Sequence, residues 1–254
     1  MTPDENDFHN RLASVGHDAA SLITHTYQEL AFHNVASSDT DVFGAVNQHA
    51  GFFNAMLGGH QTASFAALHR LYDVDGELNT LTSLLAFAQA HRDMFERDVL
   101  MQRCRQRGMN EQTAVTFTAD CFVPDVRGFA NVRAGLQDMR GLYEAHAEQI
   151  RHTIFAHTTR QPLAERLQLF DQLMVRDLER MAVFPFLMHG ELSQLFRDGN
   201  RPEVVMPVTN IVEVVNNPPP EGQGWFLHFN VARHTRDFLR GYTRMMQRED
   251  DDAG

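Results

Sequence analysis

The chain has 254 residues, of which 43% are hydrophobic, and it carries a formal net charge of −11 at pH 7. This length and apolar content suit a globular protein with a sizeable core, whereas the acidic excess argues against a broad nucleic-acid-binding surface and restricts any such site to a local one. All 22 basic residues counted in that charge are arginines, which either codon usage or contacts with phosphate would explain.

The sequence predicts a cytoplasmic protein without membrane contact. Its longest apolar runs, such as residues 183–188, are far too short to cross a bilayer. The first ten residues, MTPDENDFHN, lack the basic and apolar segments of a signal peptide. The two cysteines, Cys104 and Cys121, are too few for a disulfide framework and indicate a reducing compartment.

Hydrophobic residues at spacings of three and four predict helices over most of residues 1–199, arranged as an antiparallel bundle. Residues 1 to about 7 are expected to be disordered, and the first helix then runs to about Val35. The second helix covers roughly 41–73, with a kink or close helix contact at Gly58-Gly59, because glycine is a poor helix former. Further helices are predicted at about 80–105, 110–120, 127–159 and 163–197, and Pro185 should kink or break the last of these.

The pattern changes after Gly199. The β-branched run 203–215 and the segment 225–231, separated by a loop rich in proline and glycine, predict an extended element or a small β-hairpin. A final helix is expected at about 232–247, followed by a solvated acidic tail at 249–252. Residues 200–254 are therefore interpreted as a C-terminal extension that packs on the same domain as the bundle.

A short motif near the end of the fourth predicted helix resembles the signature of a known superfamily. The sequence Arg151-His-Thr-Ile-Phe-Ala-His157 has an arginine, a polar residue, a short apolar stretch and then Ala-His. It is similar to the motif of HEPN domains, helical bundles of microbial toxins, defence systems and RNA-processing enzymes, in which the length between the arginine and the histidine varies. The resemblance implies a mainly α, HEPN-like antiparallel helical bundle.

The second predicted helix extends this resemblance. Its last part, Ala66-Ala-Leu-His-Arg-Leu-Tyr-Asp73, is similar to the Leu-x-Arg-Leu-Phe-Asp stretch of AbiU abortive-infection proteins, which are a HEPN branch. The segment His49-Ala-Gly-Phe-Phe-Asn54 fits the aromatic start of the same helix. Together the matching segments cover about residues 40–160.

The resemblance implies a metal-independent RNA endonuclease that acts as a toxin or phage-defence effector without a cofactor. Arg151 and His157 would be the catalytic residues, and His152 and Arg160 would bind the substrate. This chemistry is physically sound, because a neutral histidine can take or give a proton near pH 7. An arginine can hold the phosphate and stabilise the charge of the transition state.

The spacing of the motif also predicts a homodimer. Six positions along an α-helix turn through about 600°, so Arg151 and His157 project about 120° apart and do not share one face. In the HEPN family two copies of this helix line one cleft, and we expect the same here. RNA is the expected substrate, and an antitoxin or another defence protein is a further expected partner.

Other interpretations remain open. One alternative is a non-catalytic HEPN module that binds RNA or a partner protein. A second is a helical-bundle metalloprotein that uses some of the 14 histidines. No metal ligand is predicted, because the sequence contains no His-x-x-x-His or Cys-x-x-Cys pairing. The residues of the motif also have structural interpretations. His157 continues the apolar stripe of Ile150 and Ile154 and could be a core residue. Arg151 can pair with Glu144 or Glu148 on its own helix. Arg70 and Asp73 suit a salt bridge at the end of their helix.

Overall fold

The computed structural model describes residues 1–73, 79–156, 173–207, 210–216 and 227–252. Within these ranges all regular structure is helical, which confirms the mainly α fold class. The α-helices, in chain order, are α1 Pro3–Ser38, α2 Thr40–Gln48, α3 Ala50–Tyr72, α4 Leu81–Ala90, α5 Arg97–Gln106, α6 Glu111–Phe117, α7 Ala130–Leu142, α8 Glu148–Ile150, α9 Val175–Asp198, α10 Ile211–Asn216 and α11 Leu227–Asp252. None of these described helices is both long enough and apolar enough to span a bilayer.

The chain forms two compact units. The first contains Met1–Ala19 and Ala67–Met206, and the second contains Ala20–Ala66 and Pro207–Gly254. Helices α1 and α3 each supply residues to both units. The predicted division of the chain at residue 200 stays a prediction.

The first unit has an aromatic core. The ring of Phe8 lies 5.6 Å from that of Phe95, edge to face, and 5.2 Å from that of Phe196. Phe95 in turn lies 6.0 Å from Phe129. Each of these four side chains is buried, and such ring pairs contribute about 0.5–1.5 kcal/mol beyond the burial of their area.

The first turn of α1 is ordered, so the predicted disorder of residues 1–7 is wrong. The backbone N–H of Thr2 donates to Glu5 Oε2 at 2.6 Å, and the N–H of Glu5 donates to Thr2 Oγ1 at 3.2 Å. This reciprocal pair is a capping box, with Pro3 at the first helical position where its missing N–H costs nothing. Glu5 is also buried, and it accepts a hydrogen bond of 2.6 Å from Arg103 Nη1.

The second predicted helix is interrupted at a different place from the one expected. It divides at His49, whose φ of −122° and ψ of 36° are not helical, and α3 continues through Gly58-Gly59. A Cβ on either glycine would meet nothing within 4 Å, so no close helix contact requires them. The start of α2 is fixed by Asp39, whose side chain accepts from two backbone N–H groups of the first turn.

The third predicted helix is also divided. Helix α4 ends at Ala90, a 3-10 turn covers Arg92–Phe95, and α5 begins at Arg97. The apolar pattern gave no sign of this break, because the 3-10 turn itself buries Met94 and Phe95. Short 3-10 turns are common connectors of this kind.

Helix α9 is not broken at Pro185. It runs from Val175 to Asp198 with the proline inside and ends at Gly199, whose φ of 72° is left-handed. The ring of Phe184 packs so closely on α7 that a Cβ at Gly135 would lie 2.7 Å from its Cε2 atom. We attribute the continuity of α9 to this burial, which offsets the backbone hydrogen bond that proline cannot donate.

The predicted β-hairpin is wrong within the described residues. Residues 211–216 form α10, and residues 227–231 belong to α11. The side chain of Asn210 accepts from the N–H of Val212 at 2.9 Å, which is the contact of a helix N-cap. The buried residues Ile211, Val214 and Val215 stand three and four positions apart, so packing overrides their preference for strands.

In the second unit, polar side chains join α1 to α3. Thr26 Oγ1 donates to Ser64 Oγ at 3.2 Å, and both side chains are buried. Gln61 Nε2 donates to Glu29 Oε1 at 2.6 Å, which satisfies a carboxyl group whose pKa burial raises. These contacts fix the register of the two helices.

Candidate functional site

The helix that carries the motif departs from α geometry around Arg151. After α7 the backbone makes a π turn over Tyr143–Ala147, one short stretch of α-helix at α8, and a second π turn over Arg151–Ala156. Turns of π type are rare and are found frequently at functional sites. Arg151 is the first residue of the second π turn.

Arg151 does not form the intrahelical ion pairs that its sequence allows. Glu144 Oε1 accepts from Arg140 Nε at 2.6 Å, and Glu148 Oε1 lies 4.0 Å from His152 Nε2. The guanidinium of Arg151 instead has its Nη1 atom 3.3 Å from His152 Nδ1. Among the described carboxylates, none forms an ion pair with Arg151, and its charge is therefore available to an anion.

A second histidine lies beside this pair. His69, in the last turn of α3, has its ring centroid 6.4 Å from that of His152. Its Nδ1 atom lies 3.2 Å from the hydroxyl of Tyr143, and its Nε2 atom lies 3.6 Å from Asp73 Oδ2. We call these residues together with Arg151 and Glu148 the motif cluster: His69, Asp73, Tyr143, Glu148, Arg151 and His152.

Tyr143 is the fixed point of the motif cluster. Its ring is buried and stacks on that of Tyr72 with centroids 5.6 Å apart, and Tyr72 donates its hydroxyl to the carbonyl of Met181 at 2.9 Å. Burial raises the pKa of Tyr143, as do the charges of Glu148 and Asp73, and although Arg151 opposes them the pKa rises to about 12. The hydroxyl of Tyr143 therefore stays protonated over the physiological range.

His69 is uncharged near neutral pH. Burial lowers its pKa, and the positive charge of Arg151 lowers it further, whereas the carboxylates of Asp73 and Glu148 act in the opposite direction. Because the ordinary pKa of histidine is about 6.5, the lowered value leaves a neutral imidazole at pH 7. Such a ring can accept a proton as well as donate one.

The residues of the AbiU-like stretch have two different partners. Arg70 reaches α1, where its Nε and Nη2 atoms donate to Asp18 Oδ1 at 3.0 and 2.8 Å. Asp73 faces His69 one helical turn before it. Arg70 therefore joins two helices of the first unit, and the helix-end salt bridge suggested by the sequence is replaced by this contact with Asp18, while Asp73 faces the neutral ring of His69.

The structure brings together only some of the predicted site residues. Arg151 and His152 are adjacent in the motif cluster, whereas His157 and Arg160 lie outside the described residues. Sequence reasoning missed His69 and Tyr143 as neighbours of the motif. The available signal was the spacing of His69 and Asp73, since residues four positions apart meet on a helix face.

No metal site is apparent in the part of the chain that the structure describes. That part contains no group of three or more His, Cys, Asp or Glu side chains able to hold an ion. Both cysteines are free thiols, with Cys104 buried and Cys121 partly buried.

The described fold is mainly helical, and the arginine of the motif stands next to His152 on a helix distorted by π turns. A family model described as AbiU2 matches residues 5–207, and the chain belongs to this HEPN family. The matched range is longer at both ends than residues 40–160, which the sequence resemblance covers, and it stops before α10. Comparisons with curated proteins and with solved structures gave no match.

Proposed function

We propose that the chain is a metal-independent RNA endonuclease of the HEPN type that acts as a toxin or phage-defence effector. The observation that carries the proposal is the guanidinium of Arg151, which stands beside two imidazoles with no ion pair to any described carboxylate. An arginine in this setting suits the binding of a phosphodiester. Membership of the AbiU2 family supports the defence role, because its name refers to abortive infection.

In the proposed reaction the ribose 2′-hydroxyl attacks the adjacent phosphorus and the 5′-oxygen of the next nucleotide leaves. The products are a cyclic phosphate and a 5′-hydroxyl, so the step consumes no water. Arg151 binds the phosphate oxygens and stabilises the charge that builds up on them. His157 transfers a proton, which accelerates such reactions by about 10²–10⁴, and His152 and Arg160 bind the neighbouring part of the RNA.

The test is cleavage of total RNA by the purified protein, with and without a chelator. We expect cleavage that survives the chelator, and we expect Arg151→Ala and His157→Ala to lose it by about two to four decades at an unchanged melting temperature. Glu144→Ala is the matched control, because Glu144 is exposed on the same helix and, among the described residues, pairs with Arg140 alone. Full activity of either variant at an unchanged melting temperature would remove that residue from the mechanism.

The second candidate is a non-catalytic HEPN module that binds RNA or a partner protein such as an antitoxin. It is favoured by the net charge of −11, which disfavours association with a polyanion and therefore favours a partner protein over RNA. Retention of RNA in a filter-binding assay without cleavage supports this candidate. Activity that the chelator abolishes would instead support the metalloprotein alternative.

A further inference from the structure

We propose that His69 is a second proton-transfer residue of this site, with Tyr143 and Asp73 as its positioning residues. The inference rests on the proposed RNA cleavage and extends it, because one chain would then supply two imidazoles to the phosphate bound by Arg151. His69 lies outside the Arg-to-His motif, on a different helix. What brings it to the site is the packing of α3 against the helix that carries the motif.

The position of His69 supports a role in proton transfer at this site. His69 lies in edge contact with His152, which itself is 3.3 Å from the guanidinium of Arg151. Arg151 is close enough to His69 for its charge to lower the pKa of that ring, so a phosphodiester bound by Arg151 would lie in the neighbourhood of His69. The side chain of His69 is 24% exposed, so a ribose hydroxyl can reach it from solvent without opening the core.

The orientation of the His69 ring is fixed by its neighbours. Tyr143, which is held by stacking on Tyr72, fixes the ring of His69 through the contact of its hydroxyl with Nδ1. A hydroxyl can accept from Nδ1–H or donate to a bare Nδ1, so Tyr143 suits either tautomer of the ring. A proton-transfer histidine generally has one nitrogen held in this way while the other does the chemistry.

The charges around His69 also suit proton transfer. At 3.6 Å, Asp73 is too far from Nε2 for a hydrogen bond but close enough to stabilise an imidazolium. Among the described residues, the other charged groups that act on His69 are Glu148, Arg151 and His152. The net effect of burial and of these neighbours keeps His69 neutral before the reaction, which is the state required of a base.

In the proposed reaction, His69 is the base that activates the 2′-hydroxyl. With a proton on Nδ1 and Tyr143 as its acceptor, Nε2 of His69 takes the proton of the 2′-hydroxyl while the O2′–P bond forms. The P–O5′ bond breaks, and the leaving oxygen receives its proton from His157. The positive charge left on His69 faces the carboxylate of Asp73. The site is reset when His69 releases its proton to solvent and His157 takes one up from solvent.

The rival explanation is that His69 only ties α3 to the motif helix. The variant His69→Asn separates the two, because its amide can occupy the place of Nδ1 and keep the contact with Tyr143 without an ionisable group. We expect His69→Asn to lower kcat by about 10²–10⁴ with little change in KM. Its melting temperature should stay close to that of the parent, and the acidic limb of the pH–rate profile should disappear.

Two further variants test the positioning roles. Asp73→Asn removes the charge that stabilises the imidazolium and should move the acidic limb to lower pH. Tyr143→Phe frees the ring and should lower kcat by less than His69→Asn does. Glu144→Ala again serves as the control, and its pH–rate profile should match that of the parent.

The outcomes distinguish this inference from the proposed function. If Arg151→Ala loses cleavage but His69→Asn keeps the parental rate and pH profile, His69 is structural and the inference is overturned while the nuclease stands. If the parent protein does not cleave RNA, the proposed function fails. In that case the proton resonance of His69 is titrated with and without a 2′-O-methyl oligoribonucleotide, and an unchanged pKa in its presence would overturn the placing of His69 beside the bound phosphate.

Discussion

At the scale of single residues, the pair of Glu5 and Arg103 is an ion pair buried in the first unit. Their side chains are 4% and 8% exposed, and Arg103 Nη1 also donates to the carbonyl of Met94 at 2.7 Å. The guanidinium lies 4.3 Å above the ring of Phe196. This arginine therefore depends on Glu5 as its only charged hydrogen-bond partner among the described residues.

Glu5→Ala should destabilise the protein by about 3–5 kcal/mol, because it leaves a charge buried without compensation. The measurement is the free energy of unfolding from urea denaturation. Asp7→Ala is the matched control, since Asp7 pairs with Arg11 on the exposed face of the same helix and such pairs contribute about 0–1 kcal/mol. Equal effects of the two substitutions would contradict this assignment.

The carboxylate of Glu5 should also make the free energy of unfolding depend on pH. Burial alone would raise the pKa of Glu5, but the hydrogen bonds from the Thr2 N–H and from Arg103 outweigh it and the net pKa is lowered. The folded state thus binds this proton less readily than the unfolded state does. The stabilisation is complete above the unfolded pKa of about 4.3 and is lost as the pH falls through the lower, folded value.

Unfolding free energies measured from neutral pH down through this range should therefore fall more steeply for the parent protein than for Glu5→Gln. Glutamine keeps much of the shape of the side chain but cannot ionise. Parallel curves for the two proteins would show that Glu5 does not contribute to the acid sensitivity.

At the scale of elements, glycines distinguish two kinds of helix position. Gly58→Ala and Gly59→Ala should each stabilise the protein by up to about 1 kcal/mol, because both positions lie inside α3 with open space around a Cβ. Thermal melting of the single variants measures the effect.

Gly135→Ala provides the contrasting case. The added methyl group would meet the ring of Phe184 at 2.7 Å, and relief of that overlap costs about 1–3 kcal/mol. A melting temperature that rises for Gly135→Ala, or falls for both Gly58→Ala and Gly59→Ala, would contradict the helix contacts described above.

Local sequence signals predicted the helices better than they predicted their ends. Apolar spacing identified most of the long helices, whereas the interruptions at His49 and His91 depend on backbone geometry that this spacing does not encode. The hairpin was wrong because β-branched residues were weighted above the N-cap at Asn210. Thr2 and Glu5 carried a capping signal that was present in the sequence and was not used.

For the site, the motif identified Arg151 and His152 because their chemistry is encoded along one helix. His69 and Tyr143 could not be found in the same way, since their contact joins residues 74 positions apart and depends on how α3 packs. The partners of Arg70 and Asp73 likewise required the tertiary structure.

At the scale of the whole molecule, we predict a homodimer with the motif helix of each copy near the two-fold axis. The reason is the HEPN family's use of two copies of this helix. The separation of about 120° expected for Arg151 and His157 assumes α geometry, and it does not apply as such because Arg151–Ala156 forms a π turn. Sedimentation equilibrium at micromolar concentration should give twice the mass of the chain. A strictly monomeric mass that does not change on dilution would count against the nuclease.

Mixing inactive variants tests whether the two copies share a site. Arg151→Ala and His157→Ala, each inactive alone, should recover part of the activity when mixed and allowed to exchange subunits. Recovery is expected because a mixed dimer holds one intact arginine and one intact histidine on opposite copies. A mixture of dimers that exchanges subunits and stays inactive would place both residues in the same copy's site.

The π turns have an evolutionary consequence. A π turn accommodates one residue more than the α ladder holds, so a helix that is packed at both ends can absorb the insertion of a single codon as a local bulge. The two turns over Tyr143–Ala147 and Arg151–Ala156 give the motif helix this tolerance. The number of residues within Tyr143–Ala156 can thus change during divergence while the packed residues of α7 before it keep their places.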